Sequence, residues 1–336
     1  MTSRFAYPEP IPCPSDVPGA VELAGTRATF ASVRLHRRGG GASIVPVAEL
    51  PDPVVGTLTG LRAPVQGIPM DGPAIMGILN ATPDSFSDGG QFRDTTHIVE
   101  AGLHMVSVGA DILDIGGEST RPGAGIVPID HEIARTVPVI EALKRQGAPL
   151  LSIDTRKAEV ARVAVRAGAG LINDVSAMAY DPLMAATMQQ SGLPVCLMHA
   201  QGTPDVMQAD PRYGDVLLDV FDALAKIRDT AIAAGILKAR ILLDPGIGFG
   251  KTLEHNLRLL RHLPLFHALG CSILIGASRK RFIGTVTGVE TAGERLIGSV
   301  SVALLAARSG VQVLRVHDVK ETKQALTMQA ALIGTP

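Results

Sequence analysis

Eight short apolar runs recur between Ile75 and Val316, each followed by a segment long enough for a helix. They are "IMGIL" (75–79), "DILDI" (111–115), "LLSI" (150–153), "LIN" (171–173), "PVCLM" (194–198), "ILL" (241–243), "SILIG" (272–276) and "VQVLRV" (311–316). Runs this short and continuous read as strands buried on both faces, as in parallel sheets covered by helices. The segments between them carry helical periods, such as Leu253, Leu257 and Leu260 with Leu263, and the Ala/Val/Leu-rich stretch 295–308. Eight units in about 260 residues match the count and size of a (β/α)8 TIM barrel. On periodicity alone, a doubly wound open sheet remains the other reading.

Each run ends in a polar or charged residue: Asn80, Gly116-Gly117-Glu118, Asp154, Asn173-Asp174, His199, Asp244, Ser278 and His317. In a barrel these ends converge on the face where active sites of the fold lie. Any one of them could simply cap the next helix, as Asp154 before "TRKAEV" or Asp174 before "SA" would. Eight facing one cavity point to a site.

The rest of the chain excludes more than it assigns. A formal net charge of −1 over 336 residues gives no electrostatic reason to expect nucleic acid or an anionic membrane as partner. Three widely spaced cysteines without a CxxC fit neither a disulfide framework nor a zinc site, and HxH and HExxH spacings are absent as well. Cys196 and Cys271 read as small core residues. The first residues lack the apolar core of a signal peptide and no 18-residue apolar stretch follows, so a cytoplasmic location is expected. Residues 1–72 form an N-terminal extension, partly irregular and without a role that the sequence assigns. Five prolines within residues 1–18 suggest extended or mobile chain, and short β-like pieces, "ATFASVRL" and "SIVPVAEL", follow. A small appendage or a lid under the barrel of residues 73–336 is the plain expectation.

Several strand-end motifs carry chemistry. "GGESTRPGA" (116–124) sets Thr120, Arg121 and Pro122 on a glycine-bounded loop, where an arginine suits an anion or carboxylate contact and a solvated loop is the bland alternative. "LDPGIGFGKT" (243–252) ends like a P-loop, but the first glycine of that motif would fall at Pro245. Its glycines are expected to let backbone approach a ligand, with Asp244 as directed acceptor. "GASRKRFIG" (276–284) offers Ser278, Arg279, Lys280 and Arg281. Arg315 and His317 share a side of the last strand by period two, with Asp318 placed to cap the last helix. With Asn80 on the neighbouring first strand they make an expected phosphate site. Opposite them, Asp154, Asn173 and Asp244 would bind a polar heterocycle through its N–H groups.

These motifs, with "MGILNATPDSFSDGG", "GADILDIGGESTRPGA", "CLMHAQGTPDVMQ" and "LRVHDV" in order, resemble dihydropteroate synthase over roughly residues 74–335. The resemblance implies a (β/α)8 barrel, a homodimer, Mg2+ and small-molecule substrates. It implies condensation of 6-hydroxymethyl-7,8-dihydropterin pyrophosphate with p-aminobenzoate in folate biosynthesis. Asp154, Asn173, Met198, Asp244, Gly276 and Lys280 correspond to the pterin-binding set. Thr120, Arg121, Pro122, Phe249 and Ser278 correspond to positions near the aminobenzoate. Asn80, Arg315 and His317 correspond to the pyrophosphate site, Asn80 also to the magnesium-linked residue. Asp154, Lys280, Arg121 and Asp84 are the implied catalytic residues, the last two on loops (81–90 and 117–125) that resemble mobile ones. A pterin-binding methyltransferase acting on methyltetrahydrofolate and a non-catalytic relative are the alternatives. The first would not need "DSFSDGG", "ESTRPG" or the Arg315/His317 pair, and the second would not need an intact site.

Overall fold

The computed structural model describes residues 6–81, 90–119, 125–202 and 211–333, with side chains in the helix that begins at Gly90 described from Thr95 onward. Eight parallel strands close into a barrel in chain order: β5 (Ala74–Asn80), β6 (Ile112–Gly116), β7 (Leu150–Asp154), β8 (Leu171–Asp174), β9 (Val195–Met198), β10 (Ile241–Asp244), β11 (Ser272–Ile275) and β12 (Val313–Val316). β12 pairs with β5, which decides for the closed barrel against the open sheet. Around them run α2 (Gly90–Ser107), α3 (Ile129–Arg145), α4 (Ala158–Ala167), α5 (Met184–Ser191), α6 (Val216–Ala233), α7 (Leu253–Arg261), α8 (Arg281–Thr287), α9 (Leu296–Arg308) and α10 (Val319–Ile333). Among the described residues, no helix is long and apolar enough to cross a membrane.

Period two sorts the strand residues. Leu113, Ile153, Ile172, Leu197, Leu243 and Leu314 face outward and join helix residues such as Val139, Val160, Leu217 and Leu259 in one core. Their neighbours in sequence face inward. Met76, Ile112, Leu171, Cys196, Leu242, Leu274 and Val313 form a separate buried cluster across the barrel's lower half. Val65 and Met70, from the segment leading into β5, belong to that cluster and close the barrel from below.

The N-terminal residues form their own antiparallel sheet of β1 (Pro8–Cys13), β2 (Val21–Glu22), β3 (Thr29–His36) and β4 (Ala42–Pro46), followed by α1 (Asp52–Thr59). β1 takes prolines at 8, 10 and 12 because it pairs only with β3, so alternate N–H groups are not needed. Leu23, Phe30, Val33, Leu35 and Leu58 give the sheet its own core. It rests against the barrel's helices. Tyr7 meets the Phe221 ring edge-on at 5.5 Å, Arg38 pairs with Asp219 and Asp222, and Arg62 donates to the His267 carbonyl at 3.0 Å.

Candidate active site

Two residues beyond the lower apolar cluster, the inward positions turn polar. Ile112 is followed by Asp114, Leu171 by Asn173, Leu242 by Asp244, Leu274 by Gly276 and Val313 by Arg315, while Ser152 is followed by Asp154. These residues form one layer at the C-terminal mouth. Arg315 lies across it, donating from Nε to Asp114 Oδ2 at 2.6 Å and from Nη2 to Asp154 Oδ2 at 2.8 Å. Asn173 Nδ2 donates to the same Asp114 oxygen at 3.0 Å. Asp114 is fully buried, and among the described residues its Oδ1 has no partner.

This arrangement differs from the expected one, with cations on one side and acids on the other. The Arg315 guanidinium sits among the carboxylates because β12 is two strands from β6 in the closed ring and the side chain spans that gap. His317 stays at the rim, its Nδ1 3.0 Å from Ser278 Oγ. Asp114 was missed in the sequence because it sits inside an apolar run; counting by two from Ile112 would have exposed a carboxylate pointing into the barrel.

Burial and neighbouring acids set the charges. Asp154 is pushed up to about 7, chiefly by burial and then by Asp114, Glu132 and Asp174, with Arg315 acting against them. Burial also raises Asp244, which Lys280 draws down. Asp244 Oδ1 accepts from the Gly246 N–H at 2.7 Å, which aims its carboxylate. Lys280, the N-cap of α8, is lowered to about 8 by burial against the pull of Asp244. Its Nζ bonds the Ile247 carbonyl and stands 4.5 Å from the centre of the Phe249 ring. Lys280 therefore joins the acidic layer to an aromatic wall. Met198 pairs in register with Asp244. Gly276 lies against Arg315 and Asp244, where a Cβ would come within 3.8–3.9 Å of both.

Other strand-end residues serve the scaffold. Asp174 caps its own turn through Ser176 and Met178, while Asp154 makes no cap. Glu118 pairs with Arg156 and Lys157, and Lys157 also binds Glu132. Arg279 and Asp318 pair with each other, so neither reaches the cavity as a free charge. Two glycines of "PGIGFG" let backbone approach backbone, since a Cβ at Gly246 would fall 1.9 Å from the His199 carbonyl and one at Gly250 2.5 Å from that of Gln201, while Gly248 leaves room for the Lys280 side chain, 3.0 Å from where its Cβ would stand. Lys251, just beyond, reinforces this contact with His199 Nδ1 at 3.0 Å and the Phe249 carbonyl at 2.9 Å. Asn80 is exposed at the end of β5, opposite Gly116, which in turn lies opposite Asp154. Asp84, Thr120, Arg121 and Pro122 lie outside the described residues.

A barrel mouth lined with carboxylates, an amide and two placed cations can exchange several hydrogen bonds with a polar small molecule. The sequence model of the pterin binding enzymes matches residues 76–317. The dihydropteroate synthase of Escherichia coli K12 is 44% identical over 262 residues, 78% of this chain and 92% of that protein. The Xanthomonas albilineans dihydropteroate synthase with 4-aminobenzoic acid is 48% identical at a TM-score of 0.77, over 82% of this chain and 99% of that one. The same enzyme in complex with 7,8-dihydropteroate aligns with a TM-score of 0.74 at 45% identity, over 82% of this chain and 100% of that one. The chain belongs to the dihydropteroate synthase family and is a transferase.

Proposed function

We propose that the mouth joins 6-hydroxymethyl-7,8-dihydropterin pyrophosphate to p-aminobenzoate, giving 7,8-dihydropteroate and pyrophosphate. One observation carries the residue assignment: Asp114, Asp154, Asn173 and Asp244 meet in a single layer that Arg315 crosses. The pterin presents N–H groups along its pyrimidine edge, and the unpartnered Asp114 Oδ1 supplies an acceptor that burial leaves costly until filled. Asp154 and Asp244 accept further N–H groups, Asn173 and Lys280 serve the ring's acceptors, and Met198 and Gly276 wall it.

Cleavage of the bond between the pterin methylene and the pyrophosphate oxygen sends the electron pair to pyrophosphate. A positive charge then spreads from the methylene into the ring. Ionised carboxylates already fixed around the ring stabilise that charge without reorganising. The arylamine nitrogen then bonds to the methylene and releases its proton. Arylamines are weak nucleophiles, so a dissociative path suits this pair, and the site must keep water from the cation. Phe249 and Ser278 flank the side from which p-aminobenzoate approaches, with Thr120, Arg121, Pro122 and Asp84 assigned to it through the family motifs.

Magnesium takes oxygen ligands and keeps several waters, bound through one or two protein groups together with substrate phosphates. A single exposed Asn80 amide oxygen at the mouth fits that manner of binding. Bound there with the diphosphate, the ion would neutralise charge on the leaving group. His317 and the outer face of Arg315 would hold the same diphosphate.

Exposed Ile297 and Leu305 on α9 with Met328, Leu332 and Ile333 on α10 make an apolar face that supports a homodimer. The three cysteines are free, which supports a cytoplasmic setting. The test supplies pterin pyrophosphate, p-aminobenzoate and Mg2+ and follows dihydropteroate and pyrophosphate by chromatography. Asp154→Ala should lose at least about three decades of kcat/KM, about 4 kcal/mol, with unchanged circular dichroism. Near-full turnover by this variant would refute the role given to Asp154.

A further inference from the structure

Where the N-terminal sheet meets the barrel's helices, three side chains from distant parts of the chain converge. Glu9 on β1 stands opposite Arg34 on β3, and His36 lies two residues on, on the same face of the sheet. His262 reaches them from the C-cap of α7. Glu9 Oε1 is 2.9 Å from His262 Nδ1, and Oε2 is 2.6 Å from His36 Nε2 and 2.8 Å from Arg34 Nη1. The two imidazole rings stand edge to face with centroids 5.3 Å apart.

We propose that Glu9, His36 and His262 bind a zinc-class divalent metal ion that clasps the N-terminal sheet to the barrel. The three donor atoms lie within 4.8 Å of one another. Two imidazole nitrogens and one carboxylate oxygen suit zinc and its neighbours, whereas magnesium prefers a shell of oxygens. Bonds of about 2.0–2.2 Å place tetrahedral ligand atoms about 3.3 Å apart, so the two histidine–Glu9 pairs, at 2.6 and 2.9 Å, need to open by less than about 1 Å. The Glu9 side chain is 4% exposed but that of His262 is 25% exposed, which leaves a solvent side for water as fourth ligand. Arg34 remains hydrogen-bonded to Oε2 and orients the carboxylate, as outer partners of metal-binding carboxylates do. Its charge also weakens the site, so micromolar affinity is expected. Each histidine must present a lone pair at the nitrogen that now faces Glu9, with its proton on the other nitrogen.

The test uses the full chain, stripped with EDTA and titrated with zinc by calorimetry in millimolar Mg2+, with bound metal counted by mass spectrometry. One zinc per chain is expected, with a rise in Tm. His36→Gln and His262→Gln should each weaken binding at least about ten-fold and remove that rise, while kcat with Mg2+ stays at the wild-type value. Absence of stoichiometric uptake, or uptake that both variants retain, overturns the proposal. Should a variant fail to fold, Co2+ added to the wild type decides: intense four-coordinate visible bands displaced by zinc support the site, and a faint six-coordinate spectrum overturns it.

Discussion

The same strands build two inward-facing layers, two residues apart, by opposite rules. Met76, Ile112, Leu171, Cys196, Leu242, Leu274 and Val313 make the lower layer apolar, and Val65 and Met70 seal it. The upper layer crowds Asp114, Asp154, Asp244, Asn173 and Arg315 into the same cross-section. Since the strands are shared, the difference lies in side chains alone. The lower layer contributes stability through apolar burial, whereas the upper one confines charge that water would solvate better. The chain keeps a costly constellation by mounting it on a layer with no such cost.

The loss of turnover expected for Asp154→Ala is the largest effect and marks the upper layer. Leu242→Ala, at a side chain 1% exposed, should produce the opposite signature. Removing a buried leucine costs roughly 2–5 kcal/mol, which denaturant unfolding would register, while kcat per folded molecule stays close to the wild type. If Leu242→Ala instead lowered kcat by decades at unchanged stability, the division of labour between the layers would fail.

How much of this was legible in the sequence follows from the same division. The apolar runs announce eight strands, and their polar ends single out Asp154, Asn173 and Asp244, because period two and helix spacing are local properties. Closure of the ring is not local; it appears only in the pairing of β12 with β5. Asp114 hid between apolar neighbours that face the other way. Arg315 was read by charge sign and assigned to the anion side, yet the ring carries it over to Asp114 and Asp154. The "PGIGFG" glycines announced close approach but not what is approached. Glu9, 27 residues from His36 and 253 from His262, follows no metal-site spacing that a sequence scan could find.

Titration gives a smaller effect that sharpens the contrast. In the proposed reaction Asp154, at about 7, is needed ionised to stabilise the cationic ring, and Lys280, at about 8, is needed protonated to donate to it. The kcat/KM profile should be a narrow bell between about pH 7 and 8, falling ten-fold per unit on either side. Stability runs the other way. The folded value of Asp154 lies above the ordinary 3.8, so folding is favoured by its neutral form and this group's contribution declines as pH rises from about 4 to 7. The folded value of Lys280 lies below 10.5, so its cost to folding is present in full below about pH 8 and relieved as pH rises towards 10.5. The window of greatest activity is thus the one in which both groups are in the charge state that folding disfavours. A profile flat from about pH 6 to 9 would detach these two groups from the rate.

The smallest expected effect isolates the ligand from the fold. Gly276 sits in the upper layer, and a Cβ there would meet Arg315 Cβ and Cδ at 3.8 Å and Asp244 Oδ2 at 3.9 Å, all ordinary contacts. Its φ is not among the positive ones, so alanine is not strained by the backbone. Gly276→Ala should therefore leave Tm within a degree or so, since the added methyl meets only ordinary contacts and strains no backbone. The added methyl stands where the pterin face would lie between Arg315 and Asp244. A loss of about 1 kcal/mol in pterin binding, roughly five-fold in KM for the pterin pyrophosphate, should appear with KM for p-aminobenzoate unchanged. An increase confined to p-aminobenzoate would put the aromatic amine, not the pterin, on this wall. That result would exchange the occupants of the two sides while leaving both layers of the barrel as they are.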